Sequence, residues 1–190
     1  MKRVGVAVWL LLGIAAPAHA TVLERLSTEE LARRADAVVR GVVIDSGVEL
    51  AVEDAQPTPY TVTHIQVASW LKGQSVERSE VIVLRERGGA WRGGGLWIEG
   101  TPRYRRGEEV VTFLRRTGAH FATLGMAQGK FEIVAATARG GVRVRRDLRE
   151  VALWVVRSGA APALESGRLV EQSLASLLAD IRRATRTRNP

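Results

Sequence analysis

Short apolar and β-branched runs, alternating with polar residues in places and broken by glycine-rich and charged stretches, make up most of this chain, and two segments instead follow the helical period. The first is LSTEELARRA. Ser27 stands where its side chain caps the amide of Glu30, Glu30 reaches back to Ser27, and Leu26 and Leu31 hold staple positions. This predicts a short helix over about 28–36. The second is SLASLLADIRRA, in which Leu174, Leu177, Leu178 and Ile181 fall at i, i+3, i+4 and i+7. With Ser173 as N-cap and Arg182 and Arg183 near the negative C-terminal end, it predicts an amphipathic helix over about 173–185. That apolar stripe must be covered, and the expectation is that the helix lies across the β-structure or plugs one end of it.

Between the helices the pattern is that of strands. ADAVVRGVVID is β-branched and apolar on both faces, so it reads as a central strand over roughly 37–46, with Gly41 marking a bulge or bend. SGVELAVEDAQPTP is acidic, carries two prolines and reads as a long loop. YTVTHIQVASWLKG is a second strand, with Thr61, Thr63, Ile65 and Val67 on one face, and SEVIVL a third. LWIEG, EEVVTFLRR, QGKFEIVA and GVRVRRD follow, the last alternating Val142 and Val144 with Arg143 and Arg145. VALWVV fits a strand or a helix. Several short strands with turn signals between them predict a mainly β domain with flanking helices, a small antiparallel barrel over about 36–146. Trp70, Trp97 and Trp154 lie in apolar runs and are expected in the core.

The N-terminus has a different character. MKR is a positive start, residues 4–16 are apolar, and Ala18-His19-Ala20 follows Pro17 as an A-x-A pattern. This predicts a secretory leader cleaved after Ala20, too short to be a comfortable membrane span of about 20 residues. Residues 21–190 are then expected to form one domain, periplasmic or secreted, with no transmembrane anchor after cleavage. Cysteine is absent, so the fold is held by packing alone.

Net charge is +8 and unevenly spread. Residues 21–80 hold six basic and ten acidic residues, net −4, whereas residues 81–190 hold twenty basic and ten acidic, net +10. A basic half admits a polyanion partner. The excess is almost all arginine, which a GC-rich coding sequence also produces. The candidate polyanion contacts are Arg103, Arg105 and Arg106 with Arg143, Arg145 and Arg146.

ADAVVRGVV, YTVTHIQVASWLKG and PRYRRGEEVVTFL, in that order, resemble netrin-like domains, the group that includes the tissue inhibitors of metalloproteinases. The resemblance spans about residues 35–114 and implies an OB-type β-barrel. GTPRYRRGEEVVTFL with GMAQGKFEIV also resembles a group of exported bacterial proteins of unknown function. Inhibitors of the netrin-like group ligate their target's zinc through an N-terminal cysteine, and with no cysteine here that mechanism does not carry over.

Few residues look chemical. Beyond residue 20 the only histidines are His64, expected on a strand surface, and His120, expected at a turn; no HExxH, CxxC or G-x-S-x-G occurs. Paired carboxylates occur at Glu29-Glu30, Glu53-Asp54 and Glu108-Glu109; the first suits a helix start and the last a turn into a strand, and each reads as structural rather than as general acid-base chemistry. No catalytic, metal or cofactor residue is assigned. RGGAWRGGGLW looks like a phosphate loop but lacks G-K-[ST] and runs into strand-like residues, so it reads as the loop of a hairpin. Its Arg87, Trp91 and Arg92 are candidate ligand contacts, unless Trp91 folds back onto the barrel mouth. The expectation is a non-enzymatic exported module engaging an envelope or extracellular protein, with polyanion binding as the alternative and an unfamiliar enzyme behind both.

Overall fold

The computed structural model describes residues 21–73, 80–134, 141–156 and 161–186. The expected leader, residues 1–20, lies outside the described residues, as do residues 139–140 of the expected glycine turn and the last four of the tail.

In chain order, a short strand β1 (Val22–Glu24) leads into α1 (Thr28–Arg34), which begins with the expected capping box. The Glu30 amide donates to Ser27 Oγ at 3.2 Å, and the Ser27 amide donates to Glu30 Oε2 at 2.8 Å. Two long strands follow, β2 (Ala37–Glu53) and β3 (Gln56–Lys72), then β4 (Val81–Arg87) and the small hairpin β5 (Gly89–Trp91) and β6 (Gly94–Leu96). Next come β7 (Glu109–Thr117), β8 (His120–Thr123), a 3-10 turn at Met126–Gly129, β9 (Lys130–Val134) and β10 (Arg143–Asp147). The chain closes with β11 (Ala152–Val155), β12 (Ala163–Ser166), β13 (Leu169–Ser173) and α2 (Leu174–Arg186).

The described residues are mainly β, with two helices. The large sheet runs β13-β10-β9-β7-β2-β3-β4-β8, and β8 pairs with β7 as well. One edge of β7 holds β2; the other holds β9 along its first half and β8 along its second. β8 meets β4 through a single parallel pair, Leu84 with Phe121. Glu86 reinforces that thin seam, its Oε1 accepting the Thr123 amide at 2.6 Å. Gly41 does sit at a register shift in β2, where a Cβ would run into the Gln66 carbonyl and the Ile65 side chain.

Three cores result. Ile65, Leu84, Val110, Leu114 and Phe121 fill the space inside the strands β2, β3, β4, β7 and β8. There the Tyr104 hydroxyl bonds the Thr112 and Thr123 hydroxyls at 2.8 Å each. Phe113, Phe131 and Val144 on the opposite face meet both helices. Leu174, Leu177, Ile181 and Ala184 of α2 bury there against Leu31, Ala32 and Ala35 of the α1 segment. So α2 lies against α1 over the outer face of the sheet, and its apolar stripe is covered as the pattern required. Ser173 is its cap, accepting the Ser176 amide at 3.0 Å. The third core, Leu148, Val151, Leu153 and Val155, lies under the small sheet β1-β11-β12.

Four expectations need correction. The acidic stretch 46–59 is not a loop but most of a two-stranded arm: β2 and β3 stay paired to Glu53 and Gln56. Pro57 and Pro59 are tolerated because that part of β3 lies beyond β4, which pairs only with residues 61–66 and so needs no amide from them. Trp97 is 67% exposed, because its strand ends at Leu96, and Arg103 stacks over its ring at 5.1 Å. Trp154 is 44% exposed, because β11 alternates and its neighbours Leu153 and Val155 take the buried face. Val142, expected to share a face with Val144, precedes β10 and is exposed, and Arg146 stands on that face instead.

Candidate functional site

Two surfaces gather the residues that the sequence singles out. The first is a cleft of about 320 Å³ between residues 100–108, the 3-10 turn, β9, β10 and the turn 147–151. Cross-strand register builds it: Glu132 of β9 stands opposite Arg145 of β10, and both face the cleft. Arg103, Arg105, Lys130, Arg145 and Arg149 line it with Glu108, Glu132, Asp147 and Glu150, five cations against four carboxylates.

Nearly every charge there is matched. Lys130 Nζ lies 2.6 Å from Glu108 Oε1, with both side chains largely buried, and donates also to the Arg103 carbonyl. Arg145 grips Glu132 through two nitrogens at 2.8 and 2.9 Å. Arg149 lies 2.6 Å from Asp147 and Arg103 3.2 Å from Glu150. The Arg149 hydrogen bond holds the Asp147 carboxyl down at about 2, while burial pulls the Lys130 ammonium below its usual range despite Glu108. Of the cleft's five cations, Arg105 is the one whose guanidinium has no carboxylate partner among the described residues; its amide donates to Glu108 at 3.0 Å.

Of the six arginines expected on one basic face, the cleft unites Arg103, Arg105 and Arg145. Arg143 lies outside it, 3.4 Å from Glu171 of β13, and Arg106 is exposed in the turn before β7. Arg146 points the other way. Its guanidinium lies 5.0 Å from the Phe131 ring centre, with Nε and one terminal nitrogen buried and without a hydrogen-bond partner among the described residues. Burial, aided by Arg25, lowers it to about 10. Sequence reasoning missed Lys130 and Arg149. The K-F-E of β9, with period two, would have placed Lys130 and Glu132 on one face, but nothing local tells which strand lies beside them.

The second surface is the arm with the glycine hairpin lying on it. The hairpin expected from RGGAWRGGGLW is present, with Arg92 and Gly93 as its two-residue turn, both at positive φ (43° and 82°). Gly89 is glycine because a Cβ there would press on Val48 Cγ2 at 2.7 Å, so the hairpin lies flat against the arm. The Gly88 amide donates to the Pro59 carbonyl at 2.8 Å. Arg87 is drawn off to Glu53 at 3.3 Å, and Glu53 also accepts the Tyr60 hydroxyl. Arg85 stacks on Tyr60 at 3.8 Å. Trp91 is half-buried, with Arg92 over its ring at 5.4 Å. Arg87 is thus a strut, whereas Trp91 and Arg92 remain surface features. Beyond the hairpin the arm displays Leu50, 42% exposed, and Val52, 79% exposed, which the sequence reading had assigned to a loop.

His64 is half-buried, its Nδ1 without a partner among the described residues, and His120 opens β8. Among the described residues no three metal-ligating side chains cluster, and no helix is long and apolar enough to cross a membrane. No family model, curated protein or solved structure matches this chain.

Proposed function

We propose that this chain is a non-enzymatic exported module, built on an OB-type barrel, that engages a protein partner through the β2–β3 arm and the glycine hairpin. The pairings β2-β3-β4-β8-β7 and back to β2 support the barrel reading, since they run round a ring of five strands, the number an OB barrel uses. The leader pattern of residues 1–20 supports export, with periplasmic or secreted residence after cleavage at Ala20.

The observation that carries the binding role is the exposure of Leu50 and Val52 on a two-stranded arm reaching past its neighbours. Exposed aliphatic side chains on the arm, with the half-buried Trp91 on the hairpin that packs against it, have the composition of an interface anchor. The polyanion alternative draws less support, because Arg103, Arg143 and Arg145 are each paired with a carboxylate. The test is capture of envelope proteins by wild type, Val52→Asp, Trp91→Ala and Arg105→Ala. Capture lost with the two arm variants and kept with Arg105→Ala is the expected result; the reverse pattern overturns the reading.

A further inference from the structure

Resting on the reading that the arm is the working surface, the free edge of β2 indicates how a partner is held. β2 pairs with β7 only over residues 37–42. The last backbone bonds across that edge run from the Val43 amide to the Glu108 carbonyl, 2.9 Å, and from the Gly107 amide to the Val43 carbonyl, 2.8 Å. Over residues 44–53 the outer edge of β2 has no backbone partner among the described residues. An edge strand of this length is a template for another strand.

The side chains decide which strand fits. Val48, Leu50 and Val52 stand on one face; Asp45, Glu49, Ala51 and Glu53 stand on the other. Residues 41–71 contain four carboxylates, Asp45, Glu49, Glu53 and Asp54, and neither lysine nor arginine. Glu53 is engaged by Arg87, while Asp45, Glu49 and Asp54 form no ion pair among the described residues. Two such edges brought together set acid against acid, so pairing with a second copy is opposed. A cationic strand meets attraction instead.

We propose that the free edge of β2 captures an extended cationic segment of a partner protein by strand addition, the segment alternating apolar residues over Leu50 and Val52 with lysine or arginine opposite Asp45 and Glu49. Main-chain bonds then supply affinity, and the alternation supplies specificity.

The probe is a nine-residue peptide of alternating valine and lysine, compared with its valine–glutamate counterpart and with a version N-methylated at alternate amides. Binding is followed by calorimetry and by amide hydrogen exchange. The lysine peptide is expected to bind, to slow exchange within residues 44–53 and to weaken as salt rises, and N-methylation is expected to abolish binding. The Asp45→Lys/Glu49→Lys variant, changed at two exposed positions, should bind it about tenfold less tightly and should gain affinity for the glutamate peptide. No binding, binding indifferent to N-methylation or charge reversal, or protection elsewhere overturns the proposal. So does protection of the same amides by dimerisation in sedimentation, which assigns the edge to a second copy. If envelope capture depends on Val52 while the lysine peptide fails, strand addition falls and the arm reading stands; capture indifferent to the arm removes both.

Discussion

In the cleft, four cations each lie within 3.2 Å of a carboxylate, and the deepest pair, Lys130 with Glu108, is largely buried. On the arm, Asp45, Glu49 and Asp54 stand in solvent with no ion pair among the described residues, and Val52 is 79% exposed. The cleft has the better shape for a small ligand, yet four of its five cations are already paired with its carboxylates, so a ligand would have to displace those pairs to use them. The arm leaves backbone, apolar and acidic groups all unspent among the described residues. Charged residues therefore mark a binding surface here only where the fold withholds their partners. Counting arginines in the sequence points to the opposite surface.

This contrast can be broken at the cleft first. Lys130→Met leaves Glu108 buried without its cation, and the expected loss is about 3–5 kcal/mol in urea unfolding, the largest effect of any substitution considered. Replacing both partners together, Lys130→Met with Glu108→Leu, should recover most of it. A loss as small as that of an exposed pair would mean that the cleft is wet and open to ligands. On the other face of β10, Arg146 is the converse case, a buried cation with no carboxylate partner among the described residues. Arg146→Met should raise stability by about 1–2 kcal/mol, because it removes a desolvated charge and keeps the packing on Phe131. Destabilisation there would mean that the guanidinium has a partner worth keeping.

At the arm the effects are smaller. Asp54 and Ala55 turn the tip with φ of 48° and 61°, a conformation that costs a residue with a Cβ. Ala55→Gly should gain roughly 0.5–1 kcal/mol in thermal unfolding, and a loss would show that the tip adopts another turn. Glu86, opposite Thr61 where the arm joins the ring of strands, has its carboxyl raised above the ordinary range by burial. A raised folded pKa means that its contribution is fully present below the unfolded value near 4.3 and is lost as pH rises through the folded value. Glu86→Gln keeps an acceptor for the Thr123 amide and removes that loss, so the variant's stability should fall less than wild type's as pH rises above the carboxylate range. Parallel pH profiles would show that Glu86 does not titrate at the seam.

Much of the fold was legible because it is encoded between neighbours in sequence. The capping box of Ser27 and Glu30 lies within four residues, and the stripe of α2 within eight. The glycine hairpin was legible for the same reason. The arm was misread because its turn uses Asp54 and Ala55 where a glycine would have signalled it, and because proline argues against strands that have neighbours on both sides. Those prolines stand where β3 has left β4 behind, a fact about the sheet that no local window contains.

By itself the sequence determined both helices, the glycine hairpin and most of the strands outside the arm, since period, capping and side-chain branching act over a few residues. Only the tertiary structure decided which charges are spent. Glu108 finds Lys130 22 residues away and Arg103 finds Glu150 47 residues away, through the register of strands and turns that meet in space. Equally, β7 stops pairing at Val42 and the turn before it at Val43, so residues 44–53 of β2 are left an open edge among the described residues. Electrostatic pairing and edge exposure depend on distance across the fold, and distance across the fold is what packing sets.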